Sequence, residues 1–239
     1  MRNRTSFFRS GLTCACLAVA AGLSASVMAE DHGGVALGAT RVIFDCSGGK
    51  ETSLSLRNSS TTRSFLVQNW ASDANGQKSS AFVVTPPLFM MKPDSENKLR
   101  VLYAGPPLPT DRESLFWLTS KSIPAVDKGE LQGKNVLQLA IAARIKGFCR
   151  PPGLHPAPDK APAQLTFRWQ GKQLTLTNPT PYYLTVINMT ANGQKLPPVM
   201  VPPKESASVT ATAGSGGAVR FQTLNDFGAA SPVLQGHMQ

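Results

Sequence analysis

Asp111 and Glu113 lie two residues apart, a spacing that can bring two carboxylates together for acid–base work. The cation between them, Arg112, favours surface or interface ion pairing instead. The histidines, His32, His155 and His237, are scattered over the chain ends and a proline-rich stretch, so they build no metal site with the cysteines. The sequence contains no G-x-S-x-G, no glycine loop for phosphate and no H-E-x-x-H. These residues predict a protein that is not an enzyme and needs no cofactor or metal. Arg41 and Lys146, read alone, are solvated surface charges. Cys46 and Cys149 form either a disulfide or two buried thiols.

The N-terminus decides the compartment. Arg2, Arg4 and Arg9 precede an apolar stretch running from Gly11 to about Met28. Val27-Met28-Ala29 supplies the small and apolar residues that a signal peptidase accepts, which places the cut after Ala29. The stretch is shorter than the ~20 continuous apolar residues of a membrane span, so no stable membrane insertion is expected. Cys14 and Cys16 leave with the signal, and an exported chain with one remaining pair favours a Cys46–Cys149 bridge. The net charge is +10, and without the three signal arginines 21 basic side chains face 14 acidic ones. They are dispersed, with no run of five, so nucleic acid is not an expected partner.

These residues must be carried by strands. With 19 prolines, 20 glycines and short alternating apolar runs, the sequence reads as all-β. Strands are predicted over 40–44, 53–57, 64–70, 81–85, 98–103, 115–119 and 136–146, with alternation at Leu54/Leu56, Leu66/Gln68/Trp70 and Leu99/Val101/Tyr103. That pattern suits an immunoglobulin-type sandwich. Residues 151–158 form a proline-rich linker, because proline withholds a ladder donor. Thinner strands follow over 164–169, 172–177, 182–189, 195–201, 206–211 and 218–223. The predicted organisation is a signal over 1–29, a first domain over 30–150, a linker over 151–158 and a second β-sandwich over 159–239.

Several long segments, taken in order, resemble the periplasmic pilus-assembly (fimbrial) chaperones of the PapD-like family. They are Leu108-Pro109-Thr110-Asp111-Arg112-Glu113-Ser114-Leu115-Phe116-Trp117-Leu118 with Ile123-Pro124, and Thr85-Pro86-Pro87-Leu88-Phe89. Asn135-Val136-Leu137-Gln138-Leu139-Ala140-Ile141, Arg144-Ile145-Lys146-Gly147-Phe148 with Arg150-Pro151, Asn178-Pro179-Thr180-Pro181-Tyr182-Tyr183 and Asn225-Asp226-Phe227-Gly228 complete the set. Thr119-Ser120 departs from the family pattern, and the cysteine pair is not a general family feature. The short polar connection over 125–134 resembles the short-loop branch.

The resemblance implies two immunoglobulin-like sandwiches in a boomerang arrangement, located in the periplasm. The implied partners are pilus subunits, a tip adhesin and an outer-membrane usher. A subunit lacking its last strand exposes an apolar groove between unpaired edges, and the chaperone fills it by donor-strand complementation, a form of β-augmentation. Leu137, Leu139 and Ile141 share a strand face suited to that groove, with Asn135 extending the contact; read from the pattern alone, they face their own domain's core. Lys146 and Arg41 match the family's anchor for the subunit's terminal carboxylate. Strict alternation puts Lys146 opposite Ile141, so the expectation is a bulge, a strong twist or a lysine wrapped around the edge. Glu113, Arg150 and Asp226 match an interdomain ion network. A Cys46–Cys149 bridge would staple the first strand to the end of the donor strand, so that reduction lowers the melting temperature without abolishing subunit binding. Two other functions fit a secreted two-domain β protein: a fibre subunit, and a carbohydrate- or protein-binding module.

Overall fold

A computed structural model describes residues 33–47, 50–126, 137–212 and 216–239; the predicted signal and Asn135 lie outside the described residues. The first sandwich holds β1 (Val35–Leu37), β2 (Arg41–Phe44), β3 (Glu51–Asn58), β4 (Phe65–Ser72), β5 (Phe82–Thr85), β6 (Leu88–Met91), β7 (Ser95–Tyr103), β8 (Ser114–Pro124) and β9 (Ile141–Cys149). One sheet runs β1-β3-β7-β5 and the other β2-β9-β8-β4-β6. Alternation sorts the faces: Leu54, Leu56, Leu99 and Val101 are buried while Lys98 and Arg100 are exposed. On β4 the buried set is Phe65, Val67, Asn69 and Ala71, which leaves Leu66, Gln68 and Trp70 on the outer face.

Aromatic packing at one end of this core fixes the strands that matter below. Phe116 on β8 is fully buried, stacks on Phe82 at 4.2 Å and meets Phe44 of β2 edge-on at 6.1 Å. Gly147 of β9 leaves room for that ring; a Cβ there would collide with it. The strand carrying Lys146 is therefore held directly against the aromatic core.

The second sandwich contains β10 (Thr166–Gln170), β11 (Gln173–Thr177), β12 (Leu184–Ala191), β13 (Gln194–Lys195), β14 (Val199–Val201), β15 (Ser206–Thr210), β16 (Val219–Thr223), β17 (Leu234–Gln235) and β18 (His237–Met238). Its sheets run β15-β11-β10-β18 and β13-β12-β16-β17, with β14 also on β12. The core centres on Phe167, Leu174, Leu176, Met189 and Phe221, all essentially inaccessible to solvent. The single strand predicted over 195–201 is two, because Pro197 and Pro198 cannot donate to a ladder. Residues 151–158 carry no strand, yet Tyr182 ties them down by donating from its hydroxyl to the Pro156 carbonyl at 2.8 Å.

Two sequence expectations about β9 change. The strand predicted from 136 begins at Ile141. Its register with β8 runs without a break from Ser114↔Cys149 to Ser122↔Ile141. Continuing it would set Leu139 against Pro124, which has no N–H to give, and Gln138 instead donates its side-chain amide to the Pro124 carbonyl at 2.6 Å. Because the register is unbroken, no bulge turns the strand between Ile141 and Lys146.

Candidate functional site: a cationic pair beside an open strand edge

β2 is the edge of its sheet and pairs with β9 in parallel, Arg41 opposite Lys146 and Phe44 opposite Cys149. Arg41 and Lys146 therefore sit side by side on the outer face of the sheet, with Phe148 further along. Both are half-buried by the second sandwich. Arg41 Nη1 donates to the Leu224 carbonyl at 3.5 Å, and Lys146 Nζ to the Thr185 hydroxyl at 3.4 Å, both long for charged donors. The buried Arg41 Nε has no partner.

The nearby acids are committed elsewhere. Arg150 donates through Nε to Glu113 at 2.7 Å and through both terminal nitrogens to Asp226 at 2.6 and 2.8 Å. The other oxygen of Glu113 accepts the Tyr183 amide at 2.8 Å, and the Glu113 amide donates to the Pro181 carbonyl at 2.9 Å. The three residues of the expected ion network thus meet where the two sandwiches touch. Burial opposes the charge on Arg150, but the bonds to Asp226 and the charge of Glu113 hold it well above the ordinary arginine value. Burial pushes the Glu113 carboxyl up, against the pull of Arg150 and the Tyr183 amide. Asp111 pairs with Arg112 at 3.0 Å and with Lys204 of the second sandwich, so the Asp111-Arg112-Glu113 triplet serves as interface.

Among the described residues Arg41 and Lys146 have no ion pair, and both are partly desolvated. Burial lowers the proton affinity of Arg41, partly opposed by the charges of Asp226 and Glu113. Burial and then the Arg41 charge push the Lys146 ammonium below the usual lysine range. Two half-buried cations side by side, one with an unpartnered N–H, have the chemistry to receive an anion, and a carboxylate suits the arginine fork.

β2 begins only at Arg41, and among the described residues no strand pairs with Ile141 to Ile145 on that side of β9. Upstream, Leu137, Leu139 and Ile141 are 82, 66 and 69 % exposed. Alternation puts Ile141 on the face of Ile145, Gly147 and Cys149, away from Lys146, and only the later part of that face is covered by the domain's own core. The reading in which all three face their own domain's core is therefore incorrect: all three side chains are exposed to solvent.

Cys46 and Cys149 are joined, with their Cα atoms 5.3 Å apart, at a sequence separation of 103. The bridge closes the end of the β2–β9 pairing, beside Phe44. Constraint of so long a loop stabilises the folded state by roughly 2–5 kcal/mol in the chain-entropy account. Reduction with a phosphine should lower the melting temperature by several degrees and leave subunit capture in place. An unchanged melt with two titratable thiols before reduction would sink this expectation.

The chain matches the family described as pili and flagellar-assembly chaperone, PapD N-terminal domain, over residues 34–155. Over 160–234 it matches the C-terminal domain of the pili assembly chaperone PapD. The chain belongs to the PapD family of pilus-assembly chaperones. Among its relatives, the probable fimbrial chaperone SfmC of Escherichia coli K12 is 46% identical over 210 residues, covering 88% of this chain and 91% of that protein. The chaperone protein FimC of the same strain is 45% identical, covering 89% of this chain and 88% of FimC. The crystal structure of the periplasmic chaperone SfaE superposes with a TM-score of 0.76 at 44% identity, over 85% of this chain and all of that one. The SafB chaperone, solved in complex with the Salmonella enterica SafA pilin, gives 0.76 at 30% identity, over 84% of this chain and 94% of SafB. The PapD family is one of chaperones rather than enzymes.

Sequence reasoning missed the PapD-family chain's backbone partners at this site, the Leu224 carbonyl and the Tyr183 amide, since a backbone group leaves no mark in residue type. It also missed Thr185, a buried hydroxyl that only the packing of the two sandwiches brings to Lys146. Arg144, which lies 4.2 Å over the Trp117 ring, was likewise invisible to spacing along one strand.

Proposed function

We propose that this PapD-family chaperone works in the periplasm, exported by a signal ending at Ala29. There it caps pilus subunits by donor-strand complementation and delivers them to an outer-membrane usher. The observation that carries the reading is the open edge of β9 ending at two unpaired cations. A client strand added along residues 141–145 lies on the line of β2. With its terminal carboxylate at Arg41 and Lys146, that strand must run parallel to β9, as β2 does. Leu137, Leu139 and Ile141 then enter the client's groove, each contributing roughly 1.5–3 kcal/mol before ordering costs. Glu113, Arg150 and Asp226 hold the two domains so that Thr185 and Leu224 face the anchor. A fibre subunit would lack its own last strand, whereas here the first sandwich has β9, paired along its length with β8 and from Lys146 onward with β2.

Co-expression with the pilin encoded nearest to this chain should give a one-to-one complex, and the pilin alone should aggregate. A pilin that accumulates soluble without the chaperone would overturn the reading. The pH dependence is a sharper check. A bound carboxylate raises the depressed Lys146 value, so capture takes up a proton. Affinity is flat below the free-state value, then falls up to tenfold per pH unit as pH rises through it, beginning below the ordinary lysine value of about 10.4. Folding stability has the opposite sign. A lysine depressed in the folded state costs stability below its folded value, and that cost fades as pH rises toward the unfolded value. Lys146→Arg should flatten the alkaline fall in capture, measured by competition between pH 7 and 10.

A further inference from the structure

Phe227 is 91 % exposed, more than any other large apolar side chain among the described residues. The turn that carries it is not loose. Asn225 accepts the amides of Phe227 and Ala229 on its side-chain oxygen at 3.0 and 2.9 Å, and its own carbonyl accepts the Gly228 amide at 3.0 Å. Asp226 is clamped by both terminal nitrogens of Arg150. Gly228 takes a left-handed φ of +83° and packs so closely on Thr40 that a Cβ would meet its hydroxyl. Leu224, just ahead of the turn, donates its amide to the Thr185 carbonyl at 3.0 Å and offers its own carbonyl to Arg41.

The ring is thus mounted on a hydrogen-bonded turn whose preceding residue offers its carbonyl to Arg41, and among the described residues nothing covers it. Phe227 and Arg41 line the same cavity, about 470 Å³, whose walls include Phe148, Tyr183 and Pro232. Thr40 precedes Arg41, so the seat of Gly228 lies on the side of Arg41 from which a terminal carboxylate arrives. A rigid aromatic that loses little freedom on contact has the properties of a binding hot spot.

We propose that Phe227 is the second domain's contact for the client. Its ring packs on apolar side chains in the last residues of the pilin, immediately ahead of the carboxylate at Arg41 and Lys146. The inference rests on the reading of those two cations as the carboxylate anchor. It assigns the second domain a direct share of client recognition, beyond that of holding the cleft open.

The test is a competition. Unfolded pilin, from the gene nearest to this chain's, is diluted into equal amounts of wild-type and variant chaperone carrying different tags, and the captured shares are compared. Phe227→Ala and Phe227→Gln should each lose by about tenfold or more, with melting temperatures unchanged because the ring supports nothing in its own domain. Phe227→Tyr, which keeps the ring, should compete near parity. Equal capture by Phe227→Ala and Phe227→Gln would overturn the proposal, as would a loss that Phe227→Tyr shares in full. The same competition with the Arg41→Ala, Lys146→Ala double variant separates the two ideas. If only that variant loses, the anchor stands and the role of Phe227 falls; if neither loses, the anchor falls as well.

Discussion

A chain carrying Arg41→Ala and Lys146→Ala should fold at least as well as the wild type and yet fail to hold a pilin. The two halves of that expectation come from one fact. Each cation is partly desolvated, the Arg41 charge lowers the proton affinity of Lys146, and among the described residues neither is paired with an anion. Removing them relieves repulsion, so the melting temperature should hold or rise slightly. Client binding responds in the opposite direction, because a carboxylate buried without its cations is left unpaired. Loss of a buried charge partner at an interface costs about 2–5 kcal/mol, roughly thirty- to several-thousand-fold in affinity. Size-exclusion chromatography of co-expressed pilin, alongside a thermal melt, reads both halves. A double variant that still elutes with its pilin would remove the anchor from the mechanism, and one that melts much lower would show that the cations serve the fold.

The second large effect belongs to Leu137, Leu139 and Ile141. Replacing all three with Ser should abolish the complex while leaving the free chaperone's melt unchanged, since each is already two-thirds or more exposed. At roughly 1.5–3 kcal/mol for each buried side chain, the triple change removes on the order of 5–9 kcal/mol of groove filling. Single changes should grade between. Intrinsic fluorescence melts and co-purification suffice to measure it. Equal capture by the triple variant would mean that the client's groove is filled by something else.

Much of this was legible in the sequence, for identifiable reasons. The first sandwich announced itself through alternation at Leu54/Leu56 and Leu99/Val101, because a strand with one buried face cannot hide its period. The cysteine bridge followed from counting thiols in an exported chain. The start of β9 was not legible: it is set by Pro124 on the neighbouring strand, and nothing within residues 136–146 records what lies across the ladder. The expected bulge between Ile141 and Lys146 rested on the assumption that donor residues and anchor must share a face. The unbroken register puts Ile141 and Lys146 on opposite faces, and the neighbour of Lys146 is Arg41 on β2 rather than a second residue on β9. Glu113, Arg150 and Asp226 were recognisable as a set from resemblance, but the amides and carbonyls around them became visible only in the folded chain.

The abrupt start of β2 at Arg41 turns the edge of β9 into a ruler with a stop at one end. A client whose carboxylate rests against Arg41 and Lys146 is measured backward from its own last residue. One extra residue at its C-terminus would slide every backbone pairing by one step and turn each groove position toward the wrong side of Leu137, Leu139 and Ile141. Two extra residues would restore the sides but move each pocket along by one donor. On the proposed anchor, the chaperone would count its client's residues from the end, using a strand of its own only four residues long.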